Sequence, residues 1–202
     1  GIVEEVGSLV EYVKQGDHVI SCLSVFCGHC DNCLSGKPNL CQSKPGRPMG
    51  GGTPMFTWNG APVFQFLNIS SYAEKMLLHE NAVVKIRDDM PLDRAALIGC
   101  GVMTGVGAAL NTAKVEPGSS VAVFGCGGVG LAAIQGAFIA GARQIIAVDM
   151  VEDKLKTARD LGATHVVDAS SHDAVQAVKD LSGGGVEYSF EAIGNKRAAE
   201  QA

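Results

Sequence analysis

At 202 residues, 47% of them hydrophobic, the chain carries enough apolar material for a proper core in one or two domains. A formal net charge of −5 leaves no basic footprint for nucleic acid or an anionic membrane surface. Seven cysteines without a signal peptide point to a reducing, cytoplasmic setting, where cysteines serve metals or catalysis more than disulfides.

Gly1 to Ile20 reads as β-structure, with GIVEEVG followed by GDHVI after the Gly16-Asp17 turn. Opening on Gly1 in strand-like sequence, the chain is expected to be part of a longer one. Cys27, Cys30, Cys33 and Cys41 come next, at the spacing C-x2-C-x2-C-x7-C. Gly28, Gly36 and Pro38 bend the loop, so four thiolates can wrap one tetrahedral ion. A shell of four cysteines has no open coordination position, which makes the expected ion a structural zinc. An iron–sulfur cluster is the rival, because a ferredoxin run also begins C-x2-C-x2-C. That run closes with C-x3-C-P, whereas here seven residues intervene and Gln42 follows, which favours zinc. With four sulfurs in the shell, His29 is expected in solvent.

Gly50 to Asn68 reads as a hairpin about an Asn59-Gly60 type I′ turn. Tyr72 to Leu78 and Ala82 to Ile86 extend the β-rich pattern. Asp93 is then expected to cap a helical run through LIGCGVMTGVGAAL. On its own, Cys100 between Gly99 and Gly101 reads as a small buried residue.

Val121 to Asp149 is the most informative stretch. An apolar run, Val121 to Phe124, leads into Gly125, Gly127 and Gly130, the three glycines of G-x-G-x-x-G. A helix follows to about Ala140, Gly141 stops it, and a second apolar run, Ile145 to Val148, ends on Asp149. In a dinucleotide site the first glycine allows a tight turn and the second lets the backbone approach a pyrophosphate. The third packs helix on strand, and the helix N-terminus offers N–H groups to the phosphates. Asp149 lies 19 residues past Gly130, near the distance expected of the acid that takes the ribose hydroxyls. Gly118 to Ala142 is uncharged and by length alone would admit a membrane span. Gly125, Gly127, Gly128 and Gly130 argue against it, since each would cost about 1 kcal/mol inside a helix.

Helix and strand then alternate: Glu152 to Leu161, His165 to Asp168, Ser171 to Leu181, Val186 to Phe190, and the start of a further helix. Alternation implies a parallel sheet. Four strands from Val121 onward are fewer than the six or so of a full dinucleotide fold, so the domain is expected to be partial. Among the five histidines there is no H-x-x-H cluster, and no Ser-His-Asp set or Gly-x-Ser-x-Gly is found.

The order Cys27/Cys30/Cys33/Cys41, LIGCG at Leu97 to Gly101, VAVFGCGGVG and Asp149 resembles the zinc-dependent medium-chain alcohol dehydrogenases along the whole chain. That resemblance implies an α/β architecture: a partial GroES-like β-rich catalytic domain with the cysteine lobe over 1–104, then a partial Rossmann domain over 105–202. Its members are longer, so by comparison the N-terminal portion and C-terminal third are lacking. It implies that Cys100 is a third protein ligand of a catalytic zinc, the other two lying before Gly1. The shell of two cysteines and a histidine is the known one of alcohol dehydrogenase. It further places Thr104 and Val129 against the nicotinamide, Lys154 near the adenosine ribose and Leu23 in the substrate pocket.

The implied activity is NAD-linked oxidation of an alcohol, or reduction of an aldehyde, by a cytoplasmic dimer with structural and catalytic zinc. No nucleic-acid or membrane partner is implied. Cys100 favours the alcohol or formaldehyde branch over the polyol dehydrogenases. Alternatives are a formaldehyde or thiol-adduct dehydrogenase, a zinc-free quinone reductase of the same fold, and a non-catalytic, zinc-stapled nucleotide-binding fragment. The 202-residue chain is expected to bind one zinc and to show negligible turnover.

Overall fold

The computed structural model describes residues 1–45 and 56–202. The chain divides into two units, Gly1–Gly99 and Cys100–Ala202.

In the first unit β1 (Val19–Ser21) precedes the cysteine loop, which contains α1 (Asp31–Leu34). The strands β2 (Phe56–Trp58) and β3 (Ala61–Val63) form an antiparallel hairpin with Trp58 opposite Ala61. Asn59 and Gly60, at φ 49° and 78°, supply the two left-handed residues that a type I′ turn needs. The Gly50–Met55 part of the expected hairpin lies outside the described residues. Next, β4 (Val83–Lys85) pairs antiparallel with β1, and Ile2 bridges His18. Lys85 Nζ reaches the buried Asp17 carboxylate at 2.7 Å, and Lys14 N–H donates to it at 3.0 Å. These bonds hold the Asp17 carboxyl below its ordinary range.

Strand content is lower here than the sequence suggests. GIVEEVG contributes only the bridge at Ile2. Tyr72–Leu77 is exposed on both faces, so it has no core side to bury and forms no strand. Asp93 does not cap α2 (Leu92–Ala95). Pro91 holds that position, and Asp93 sits in the first turn, where its charge still favours the helix N-terminus.

The second unit begins with helical turns that include α3 (Met103–Gly107). There follow β5 (Ser120–Phe124), α4 (Gly128–Ile139), β6 (Gln144–Asp149), α5 (Glu152–Asp160), β7 (His165–Asp168), α6 (Ala174–Ser182), β8 (Tyr188–Glu191) and α7 (Lys196–Gln201). The four strands form one parallel sheet in the order β7-β6-β5-β8. This is the 3-2-1-4 order of the first half of a doubly wound fold, with its switch point between β5 and β8.

Alternate strand residues face opposite ways, and helices cover both faces. Val121, Val123, Ile145 and Ala147 pack with Ala133, Ile134 and Ala137 of α4. Ala122, Phe124, Ile146 and Val148 pack with Ala174 and Val178 of α6. Burial on both sides is why β5 and β6 read as unbroken apolar runs.

Gly118–Ala142 is therefore strand, turn and helix, with no single span across it. The 22-residue helical run Leu92–Ala113 is long and apolar enough to cross a membrane by length and composition. Within it Gly105 lies so close to α4 that an added Cβ would stand 2.2 Å from Val129 O, so this part of the run packs directly on another helix. The start of α6 also differs from expectation. Ser170 and Ser171 are tied to the Asp168 carboxylate in a turn, so α6 begins at Ala174 under an Asp173 cap.

Candidate functional site

In the cysteine loop local turns, with almost no hydrophobic burial, bring the sulfurs together. Cys30 precedes α1, Cys33 lies within it, and Cys41 follows a 3₁₀ turn at Pro38–Leu40. Asn32 Nδ2 donates to Leu40 O at 2.8 Å and ties the two turns. All four Sγ atoms lie within 4.8 Å of one another. The Cys30–Cys33 separation is 3.5 Å, and Cys27–Cys33 and Cys30–Cys41 are both 3.9 Å. A tetrahedron with Zn–S bonds of about 2.3 Å has S···S edges of about 3.8 Å, so the sulfur set fits zinc.

Backbone N–H groups point at the sulfurs. Cys27 N–H donates to Cys41 Sγ at 3.3 Å. The N–H groups of Cys33 and Gln42 hold the Cys30 thiol down at about 6, whereas burial pushes Cys33 up to about 11. Four sulfurs so close would not all ionise unaided. A divalent cation supplies the compensating charge. His29 is exposed with Nδ1 3.0 Å from Cys27 O, outside the sulfur shell as expected. Among the described residues this is the only cluster of three or more such ligands.

The second site forms where the parallel strands end. Gly125 leaves β5 at φ 96°, and a Cβ there would stand 2.5 Å from Ile193. A Cβ on Gly130 would stand 1.7 Å from Gly125 O, so α4 is seated directly on the turn. At Gly127 and Gly128 nothing lies within 4 Å of an added Cβ, and no side chain caps α4. The start of α4 is therefore unobstructed at Gly127 and Gly128, and a helix N-terminus left open in this way suits a phosphate.

These contacts predict unequal effects. Gly130→Ala should cost roughly 1–3 kcal/mol in urea unfolding. Gly128→Ala adds its methyl to open space and should leave the midpoint nearly unchanged. Equal losses in the two variants would contradict this packing.

A cleft of about 820 Å³ lies over the strand ends and brings together Gly125, Gly127, Asp149 and Lys154 of the expected residues. Gly128, Val129, Gly130, Thr104 and Cys100 do not line it. Gly130 is buried beneath the turn, while Thr104 and Val129 are exposed outside the cleft. His172 after β7, and Ile193, Asn195 and Arg197 after β8, line it without having been picked out from the sequence. The signal that could have found them is positional, since ligands of open α/β sheets bind beyond the carboxyl ends of the strands.

Cys100 sits in a π-helical turn, Ile98–Val102, and is exposed, which overturns its reading as a buried filler. Cys126 is the buried one, at 1% exposure. Burial and then the Asp149 charge push its thiol up to about 12, so it is an inert packing residue.

Comparison with known proteins gives two family matches: an alcohol dehydrogenase GroES-like domain over residues 1–88 and a zinc-binding dehydrogenase domain over residues 128–202. The class-3 alcohol dehydrogenases of Oryza sativa subsp. japonica and Pisum sativum are each 46% identical over 203 residues, 96% of this chain and 53% of theirs. The chain thus spans about half the length of the curated relatives it matches. Among solved structures, an alcohol dehydrogenase zinc-binding domain protein from Burkholderia ambifaria superposes with a TM-score of 0.86 at 38% identity, over 100% of this chain and 56% of that one. Benzyl alcohol dehydrogenase from Acinetobacter calcoaceticus gives 0.85 at 38%, over 100% and 55%.

Proposed function

The chain belongs to the zinc-dependent medium-chain alcohol dehydrogenase family, and from that premise we propose that the protein transfers a hydride between an alcohol or aldehyde and NAD. The observation that carries this reading is the cleft in which an unobstructed glycine turn and Asp149 share one wall of strand ends. When bound, NAD supplies the hydride acceptor and a catalytic zinc the Lewis acidity that lowers the pKa of a hydroxyl. Gly127 and the first turn of α4 would receive the diphosphate, and Asp149 with Lys154 the adenosine ribose. Cys100 would give the catalytic zinc one thiolate, and Cys27, Cys30, Cys33 and Cys41 would hold the structural zinc. Thr104 and Val129 would stand against the nicotinamide. The working form would be a homodimer.

The test is NAD-linked oxidation of short-chain alcohols, benzyl alcohol and the glutathione adduct of formaldehyde by the whole protein with its flanking sequence restored, since the chain Gly1–Ala202 alone is expected to turn over negligibly. Turnover is expected on at least one, and Cys100→Ala should lower it at least about a hundredfold. Unchanged turnover in that variant, or none on any substrate, would leave the non-catalytic nucleotide-binding module as the better reading. The 46% identity to class-3 enzymes favours a second, narrower reading in which the thiol adduct is preferred.

A further inference from the structure

Asp149 accepts three main-chain N–H groups. Oδ1 takes those of Met150 at 2.8 Å and Val151 at 3.0 Å, which closes the turn after β6 on its own segment. Oδ2 takes the N–H of Cys126 at 2.7 Å, across 23 residues of sequence. Cys126 is the residue between Gly125 and Gly127. The preceding N–H, that of Gly125, donates to Val148 O at 2.8 Å. Two successive N–H groups of the glycine turn are thus held by two successive residues at the end of β6.

Beyond them Gly127 is extended and has no side-chain cap. No side chain holds the phosphate-facing end of α4 from that residue. Cys126 also has its side chain in the core, so its N–H cannot turn elsewhere without unpacking Sγ. The bond to a carboxylate is charge-assisted and stronger than the amide–carbonyl bond beside it.

We propose that Asp149 is a positioning residue for the glycine turn: its Oδ2 holds Cys126 N–H, and through it sets Gly127 and the first turn of α4 for a diphosphate. This action is separate from any contact of the carboxylate with ribose hydroxyls. It rests on the dinucleotide reading of the cleft, yet it can be tested without a dinucleotide.

The probe is 2′,3′-dideoxyadenosine 5′-diphosphate, which carries the diphosphate and lacks both ribose hydroxyls. Asp149→Ala removes the acceptor of Cys126 N–H together with a negative charge, and loss of that charge alone would tighten binding of the anionic probe. Calorimetry on the whole protein should instead show the alanine variant binding the probe about tenfold more weakly than the unsubstituted protein. Equal or tighter binding by the alanine variant would overturn the proposal. A second readout uses ligand-free protein: Cys126 N–H should exchange with solvent about tenfold faster in Asp149→Ala than in the unsubstituted protein. Should the alanine variant not fold, the unsubstituted protein decides, because its Cys126 amide nitrogen should show a through-hydrogen-bond scalar coupling to the Asp149 side-chain carboxyl carbon. No such coupling refutes the clamp. If wild-type protein binds neither ADP nor the probe, the dinucleotide reading falls, and the exchange and coupling results still decide the clamp.

Discussion

Cys30→Ala is expected to abolish zinc retention by the chain Gly1–Ala202, and Cys100→Ala to leave it unchanged. The wild-type chain should keep one zinc per molecule through dialysis against a mild chelator. Four sulfurs already stand near tetrahedral spacing, whereas Cys100 belongs to no cluster of ligands among the described residues. The effect is large because little else holds the lobe. Neither α1 nor the Pro38–Leu40 turn buries a residue, and Leu34 and Leu40 are 74% and 56% exposed. Structural zinc in comparable small sites contributes about 10–16 kcal/mol of apparent binding energy, and here that energy is the lobe's folding energy. Chelation should therefore also speed chymotryptic cleavage after Leu34. Zinc lost with Cys100→Ala but kept with Cys30→Ala would reverse the roles of these cysteines.

Steady-state kinetics of the whole protein should show kcat/KM for NAD at least about a hundredfold above that for NADP. A 2′-phosphate brought within about 4 Å of a carboxylate meets roughly 4 kcal/mol of repulsion per pair of unit charges at an intermediate dielectric. Met150 and Val151, the neighbours in sequence, offer no offsetting cation. Tertiary structure adds Lys154 and Arg197 to the same cleft, so the preference is finite and Arg197→Ala should widen it. Asp149→Gly should narrow the gap, and mainly by impairing use of NAD. That substitution removes both the ribose acceptor and the anchor of Cys126 N–H. Equal or better use of NADP by the unsubstituted protein would refute the assignment of Asp149.

Features that depend on neighbours along the chain were legible from composition and spacing. Four cysteines within fifteen residues bring their own bends, so the lobe needs no distant partner. Asn59-Gly60 determines its own turn because only a few residue types tolerate two successive left-handed conformations. The apolar runs Val121–Phe124 and Ile145–Val148 and the glycines between them identify strand, turn and helix by periodicity and backbone freedom. The α/β class and the parallel sheet follow from their repetition. Tyr72–Leu78 misled because its apolar residues look like a strand until one knows that no core faces them.

Only the tertiary structure decided what meets at the strand ends. Gly127 follows β5, Asp149 ends β6, His172 follows β7 and Arg197 lies in α7 after β8, and it is the order β7-β6-β5-β8 that carries them into one cleft. The exposure of Cys100 and the burial of Cys126 are likewise invisible locally, since both are cysteines flanked by glycines. The bond from Cys126 N–H to Asp149 exists because two parallel strands place their carboxyl ends side by side. Spacing along a chain reports local geometry, while contact between distant residues depends on the register of the sheet that joins them.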